Sequence, residues 1–521
     1  MRRWEKEEGL PVHRHVHKKL GTVYAHRSEL DAWRRGRSVE IVRSAGTGVA
    51  QNEQSSARVM IAVLPFTHLS ADPEQEYVAD GLTEEMIGQL GRFNPETLGV
   101  IARTTVMQYK HKNRTVRQIR DELRVDYILE GSLRHEAGRV RVTAQLIHAR
   151  DQTHLWSDTY EQAMHSILVL QRQLARDIGR EIRLKLSPRH ESWDVVDMVN
   201  PDAYYANLKG RHFLNDFAPE SIRRSVEFFR QAIDSDPHYA PAYASLAEAY
   251  AQLPVWIDET SVTSLPLALD AAAHALRLDP DLPEAHASLG LINTYYLWDW
   301  PVAERHFQRA LELNPSCSPA RQWYGEFLAA MGRREEALET IERAREHDPL
   351  SRSIHATLVF VLLLARRFDE AIAQARQVLE VDPDYPMALI RLGLAYSAKG
   401  MHSDAVRTLE RAEAVAPTLL DCSALLGYAH ARAGAMQPAR KQLNKLHSLA
   451  KQRYVPPFLF ANLYLALGDA DNAIRFMEKE YESRGWYLLL IGQGPQFDPL
   501  RSHPRFQALL RRMNFPLMAT S

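Results

Sequence analysis

From Asp202 onward apolar positions return at helical spacing, and small residues mark a fixed period. Alanines fall at Ala268, Ala303, Ala337, Ala371, Ala405, Ala439 and Ala473, with one spacing of 35 residues and the rest of 34. A proline follows twelve residues later at Pro280, Pro315, Pro349, Pro383 and Pro417, and Pro237 stands in the same relation to Ser225. Such a period predicts stacked helix hairpins, each covering the apolar face of the last. Gly325, Gly393 and Gly427 are expected where the first helix (A) meets the second (B), and proline closes helix B because it cannot continue a helix. About nine extra residues around VWIDETSVTSLP are expected in a loop between two helices. FDPLRSHPRFQALLRRM (497–513) reads as a terminal capping helix with bases in its last turn.

Upstream the period changes. VMIAVLPF (59–66) predicts a buried strand, residues 80–92 a helix, LGVIAR (98–103) a second strand and VRQIRDELRV (116–125) a second helix. DYILEGSLRH and RVRVTAQLIHA alternate as two strands joined at Glu136-Ala137-Gly138, HLWSDTYE adds an edge, and a helix follows over 167–186. The fold class is therefore multidomain, an α/β middle domain at 58–187 followed by an all-α solenoid at 200–515.

Whole-chain composition adds little, with 64 Lys and Arg against 65 acids in 521 residues, but its distribution does. Residues 1–57 carry a charge of +4, residues 58–187 of +1 and the remainder of −6. Cys317 and Cys422 are too few for a disulfide framework or a CxxC site, and the longest apolar stretch, 358–365, is too short to span a bilayer. A cytoplasmic location is expected. The acidic run DPEQEYVADGLTEE holds Asp72, Glu74, Glu76, Asp80, Glu84 and Glu85 without a base, but not at the spacing of a calcium loop. It reads as a solvated face, and His148 and His154 as structural residues flanking a turn. No phosphate-loop, nucleophile-elbow, HExxH or CxxC motif occurs, so neither an enzyme nor a metal or cofactor site is expected.

The unit Leu389-x2-Leu392-Gly393-x2-Tyr396, Ala405-x3-Leu409, Ala412, Pro417 resembles the tetratricopeptide repeat. The resemblance implies a concave surface lined by the A helices that holds a protein or peptide. In that frame the inward positions include Gln322, Glu326, Phe360, Leu363, Met387, Ile390, Leu394, Tyr428 and Arg432. Their apolar middle suits a helix or hydrophobic peptide. The alternative is that several of them are packed core or are covered by the chain's own termini.

At IAVLPF, DGLTEEM, VIARTT, VDYILEGSLR and VRVTAQLI the chain resembles the domain related to the TolB amino-terminal region and to FlgO proteins. That resemblance implies a bacterial signalling protein, in which this domain precedes tetratricopeptide repeats and follows a helix-turn-helix module or an adenylate cyclase. Residues 1–37 resemble the second half of a MerR or excisionase type winged helix-turn-helix, with the end of a recognition helix at Arg2, Arg3 and Trp4, a β-wing through Gly21 and a helix from Ser28. The resemblance implies DNA contact, for which Arg2, Arg3, Arg14, Lys18 and Lys19 would meet phosphates. The chain starts at Met1 without the first helix that sets the recognition angle, so a partial module is expected. His13, His15 and His17 alternate along the wing without a fourth metal ligand. Residues 38–57 read as a flexible linker. Together these features point to a regulator with a protein-binding solenoid; the alternative is a pure interaction scaffold with a relic DNA segment.

Overall fold

In the computed structural model, residues 13–17, 20–24, 58–69, 76–94, 96–136, 138–182, 199–215, 218–256 and 260–516 are described. They fall in two compact units, 1–57 and 58–521. In the first, β1 (His13–His17) and β2 (Leu20–Tyr24) pair antiparallel, with Arg14 opposite Val23 and His17 opposite Leu20. Gly21 therefore lies within the second strand of this pair, opposite Val16. Arg2, Arg3, Lys18, Lys19, the helix expected from Ser28 and the linker 38–57 lie outside the described residues.

The second unit opens with a mixed sheet of order β5-β3-β6-β7-β8. Strands β3 (Val59–Val63), β5 (Leu98–Val100) and β6 (Tyr127–Glu136) run parallel, and β4 (Thr67–His68) extends β3 along β6. Strands β7 (Arg139–His148) and β8 (Thr153–Ala163) complete an antiparallel meander. The predicted strand 98–103 stops at Val100, because the Ala102 amide donates instead to the His347 carbonyl of the solenoid at 2.7 Å. Helix α1 (Glu76–Phe93) crosses from β3 to β5, and Arg103–Val106 forms the short helix α2. Helix α3 (Val116–Leu123) begins with the capping box Thr115/Gln118, and α4 (Ile167–Glu181) closes the domain.

Eight helix hairpins follow among the described residues, from Pro201–Leu214 with Pro219–Ser235 to Pro457–Ala466 with Ala470–Glu482. Ser225 and all seven ladder alanines are fully buried in the B helices. At Gly325 a Cβ would sit 2.4 Å from Ile341 and at Gly393 2.5 Å from Leu409, A-to-B contacts as expected, whereas at Gly427 it would sit 2.3 Å from Leu463 of the next A helix and 2.9 Å from Gln442 of its own B helix. The spacing of 35 between Ala268 and Ala303 is absorbed as a π-turn at Asn293–Leu297. The extra residues before Ala268 mostly lengthen two helices, Ala240–Trp256 and Ser261–Leu278, rather than forming the expected loop.

No boundary separates the sheet domain from the solenoid. One apolar core contains Ile61, Leu129 and Leu174 together with Ala203, Tyr204, Leu208 and Tyr239 of the first two hairpins. Gly81 of α1 lies so close to Leu208 that a Cβ would come within 2.6 Å of its methyl carbons.

Candidate functional site

The candidate site has two parts, the inner face of the solenoid and the seam along its inter-repeat loops. On the inner face Gln322 Nε2 donates to Ser353 Oγ (3.0 Å) and Thr357 Oγ1 (3.1 Å). Thr357 and Tyr295 in turn donate to the Glu326 carboxylate. The Arg391 guanidinium lies 5.3 Å from the Phe360 ring centre. Of the expected inward positions, Glu326, Leu363, Ile390 and Tyr428 are buried, Gln322, Phe360, Met387 and Leu394 are half-buried, and Arg432 is exposed.

The chain's own carboxyl-terminal segment fills much of this surface. It consists of two 3-10 turns, Trp486–Ile491 and Pro495–Leu500, followed by the helix Pro504–Arg512. The expected helix over 497–513 thus begins only at Pro504, since proline suits a first helical position and not an interior one. The segment packs on the last hairpin, where Arg505 pairs with Glu478 (2.7 Å) and Tyr487 and Phe497 meet Phe458, and it also runs back across the others. Tyr487 OH donates to Asp421 Oδ2 at 2.8 Å, Arg366 grips Asp498 through two bonds of 2.7 and 2.8 Å, and Arg484 donates to the Tyr296 carbonyl at 3.2 Å. Trp300 Nε1 reaches the Asn514 carbonyl at 2.9 Å, and Trp298 stacks on Tyr481 at 4.8 Å. Leu488, Ile491, Phe497 and Phe506 are completely buried in the same core as Phe327, Leu363 and Ile390. Burial raises the carboxyls beneath the segment, Glu480 to about 8 and Asp421 also upward.

A conformational ladder identifies the gripping residues. Past the end of six A helices the backbone is left-handed, at 298, 332, 366, 400, 434 and 468, and glycine occupies four of these positions. The other two are Trp298 and Arg366. A side chain in this conformation costs about 1 kcal/mol. Arg366 bonds Asp498 of the carboxyl-terminal segment and Trp298 stacks on Tyr481 of the last B helix, while the glycine kept at 332 lies against Gln493 of the segment.

At the seam, Thr105 Oγ1 donates to Asp348 Oδ1 (2.7 Å) and accepts from the Leu350 amide (2.9 Å), while Gln108 donates to the Leu350 carbonyl (2.7 Å). Burial raises Asp348 to about 6. The acidic run expected to be a solvated face is engaged here. Lys110 holds Asp80 (2.6 Å) and Glu76 (3.0 Å), Glu84 pairs with Arg103 (3.1 Å) and Arg211, and Arg92 makes two bonds to Glu284 (2.9 and 3.0 Å). The bases missing from the local sequence come from other elements. Glu85, without such a partner, is pushed by burial to about 7. Asp72 and Glu74 lie outside the described residues, and His148 bonds Asp151 across the β7–β8 turn at 2.9 Å. Burial lifts the Cys317 and Cys422 thiols to about 12. Among the described residues no group of three or more His, Cys, Asp or Glu could hold a metal ion, and no helix is long and apolar enough to cross a membrane.

Two regions of the chain match known families. Residues 56–177 match the HilA/YgeH-like transcriptional regulator second domain, and residues 299–358 and 362–427 match the tetratricopeptide repeat. The chain is 24% identical over 349 residues, 66% of its length, to the transcriptional regulator HilA of Salmonella typhimurium, and covers 60% of that protein. It is 34% identical over 242 residues, 46% of its length, to a Rhizobium meliloti protein named as an adenylate cyclase, of which it covers 40%. The chain thus spans about half the length of these relatives. Among solved structures, the type IV pilus biogenesis factor PilW aligns over 40% of this chain and 92% of its own at 20% identity and a TM-score of 0.34. The chain therefore combines a HilA-like regulator domain with tetratricopeptide repeats, a regulator-like arrangement suited to holding proteins.

Proposed function

We propose that this is a cytoplasmic transcription regulator in which residues 1–37 contact DNA and the body 58–521 recruits a protein. The observation that carries the reading is the HilA-like match at 56–177, on a domain that shares its core with the solenoid. A signal felt by the sheet domain would then reach the repeats without a flexible joint. The TolB/FlgO-like and MerR-like resemblances support the same arrangement. DNA contact would run through Arg2, Arg3, Arg14, Lys18 and Lys19, and catalysis forms no part of this role. The partner would meet the inner positions left accessible, Gln322, Phe360, Met387, Leu394 and Arg432, while Glu326, Leu363, Ile390 and Tyr428 support the filled groove.

A mobility-shift titration against salt tests the DNA limb. Binding should weaken steeply as salt rises and be lost in the triple variant Arg2→Ala/Arg3→Ala/Lys18→Ala. Binding that ignores salt, or survives the triple variant, would contradict it. No DNA binding together with capture of a protein by the full chain would favour the scaffold reading.

A further inference from the structure

The sheet domain and the solenoid also enclose a cleft of about 630 Å³ at the start of β3. Its floor holds Arg58 at the foot of β3, Arg321 in the first turn of helix Ser318–Ala330, and His347 at the end of helix Arg334–His347. Tyr324 lines a wall, and the exposed Arg343, which pairs with Glu339 at 2.6 Å, stands at the rim with the exposed Glu96, Glu312 and Glu346.

Arg321 is a cation in an unfavourable place. It is only 9% exposed, and its hydrogen bond goes to the neutral Pro315 carbonyl at 2.5 Å. Among the described residues no carboxylate lies within ion-pair distance of it. It also occupies the positive end of its helix, where the backbone dipole favours an anion. Burial and the nearby charges of Arg343 and Arg58 pull its proton affinity down to about 10, against a weaker opposing pull from Glu346. His347 adds no counter-charge. Its Nδ1 must donate to the Arg343 carbonyl (3.0 Å), which leaves Nε2 to accept from Arg58 Nη1 (3.2 Å) in a neutral ring. Burial, with the charges of Arg321 and Arg58, holds that ring neutral, at about 4.

We propose that this cleft binds a phosphate-bearing ligand, whose oxygens meet Arg321 and Arg343 from the solenoid and Arg58 from the sheet domain. A tetrahedral dianion suits guanidinium groups that converge from separate walls, whereas a single planar carboxylate is matched by one guanidinium fork. Such a ligand would bridge the two domains at their seam. The inference does not depend on the DNA or protein-recruiting roles.

The test is thermal unfolding of the full chain at constant ionic strength in inorganic phosphate, in a nucleoside monophosphate and in acetate. Inorganic phosphate should give a saturable rise in Tm and acetate none; a larger rise with the nucleotide would make the phosphate part of a nucleotide, and an equal one would make the free anion sufficient. Arg321→Gln should fold with an unchanged or higher Tm, because a buried uncompensated charge is gone, and should lose the phosphate response. The rim variant Arg343→Gln, at an exposed position, keeps the test open if Arg321→Gln does not fold; it should weaken phosphate binding about tenfold. An acetate response equal to that of phosphate, no saturable phosphate response, or a response unchanged in both variants would overturn the proposal.

Discussion

The sheet domain and the carboxyl-terminal segment both pack against the repeats, with opposite chemistry. The segment is held mainly by buried aromatic and aliphatic side chains, with Phe497 and Leu488 fully enclosed and Arg366 to Asp498 as an outer clasp. The seam adds to its apolar core a set of charged groups that lose water, Glu84, Glu85, Arg92, Arg211, Glu248 and Glu284. Apolar burial is tolerant of pH. A seam with more carboxylates than guanidiniums is not, because one of its acids must keep a proton or carry an uncompensated charge.

The largest expected effect is on the apolar side. Phe497→Ala should destabilise the chain by about 4 kcal/mol in urea unfolding and expose residues 486–500 to proteolysis. A loss below about 1 kcal/mol would mean that the segment is not core. Arg211→Met should cost about 3 kcal/mol at pH 7, since it removes one of the two guanidiniums that hold the buried Glu84 carboxylate, and much less at pH 4, where that acid takes up a proton. An equal loss at both pH values would point to lost packing instead of lost charge.

Glu85→Gln should act in the other direction. A carboxyl raised to about 7 in the folded chain holds its proton while the unfolded chain releases it above pH 4.5, so stability falls as pH rises from about 4.5 to 7. The variant should gain about 2 kcal/mol at pH 8, a figure reduced for the remaining solvent contact, and almost nothing at pH 4.5. A gain independent of pH would contradict the charge account. Arg366→Gly should change global stability by less than about 1 kcal/mol, as relief of left-handed strain offsets the lost clasp, yet increase hydrogen exchange in residues 495–500.

The repeats were legible because their signal is local and periodic. Each ladder alanine sits beside its own A helix within a few tens of residues, and the strands follow simple alternation. The acidic run misled for the opposite reason. Glu84 meets its guanidiniums 19 residues downstream at Arg103 and 127 residues downstream at Arg211, distances at which charge pattern carries no information. The path of residues 486–515 was equally hidden, since 3-10 turns have no strong period. One local signal exists: the glycine that recurs at 332, 400, 434 and 468 gives way at 366 to Arg366, which clasps Asp498 of that segment.

The chain's own carboxyl-terminal segment occupies the groove that a partner would be expected to fill. Hydrogen exchange of the full chain, followed by mass spectrometry over residues 486–500, tests it most directly. Protection should approach that of the A helices beneath, such as Arg352–Leu364, with the amides of Leu488 and Phe497 among the slow ones. Exchange at the rate of an exposed loop would contradict it and return the whole inner face to an external partner.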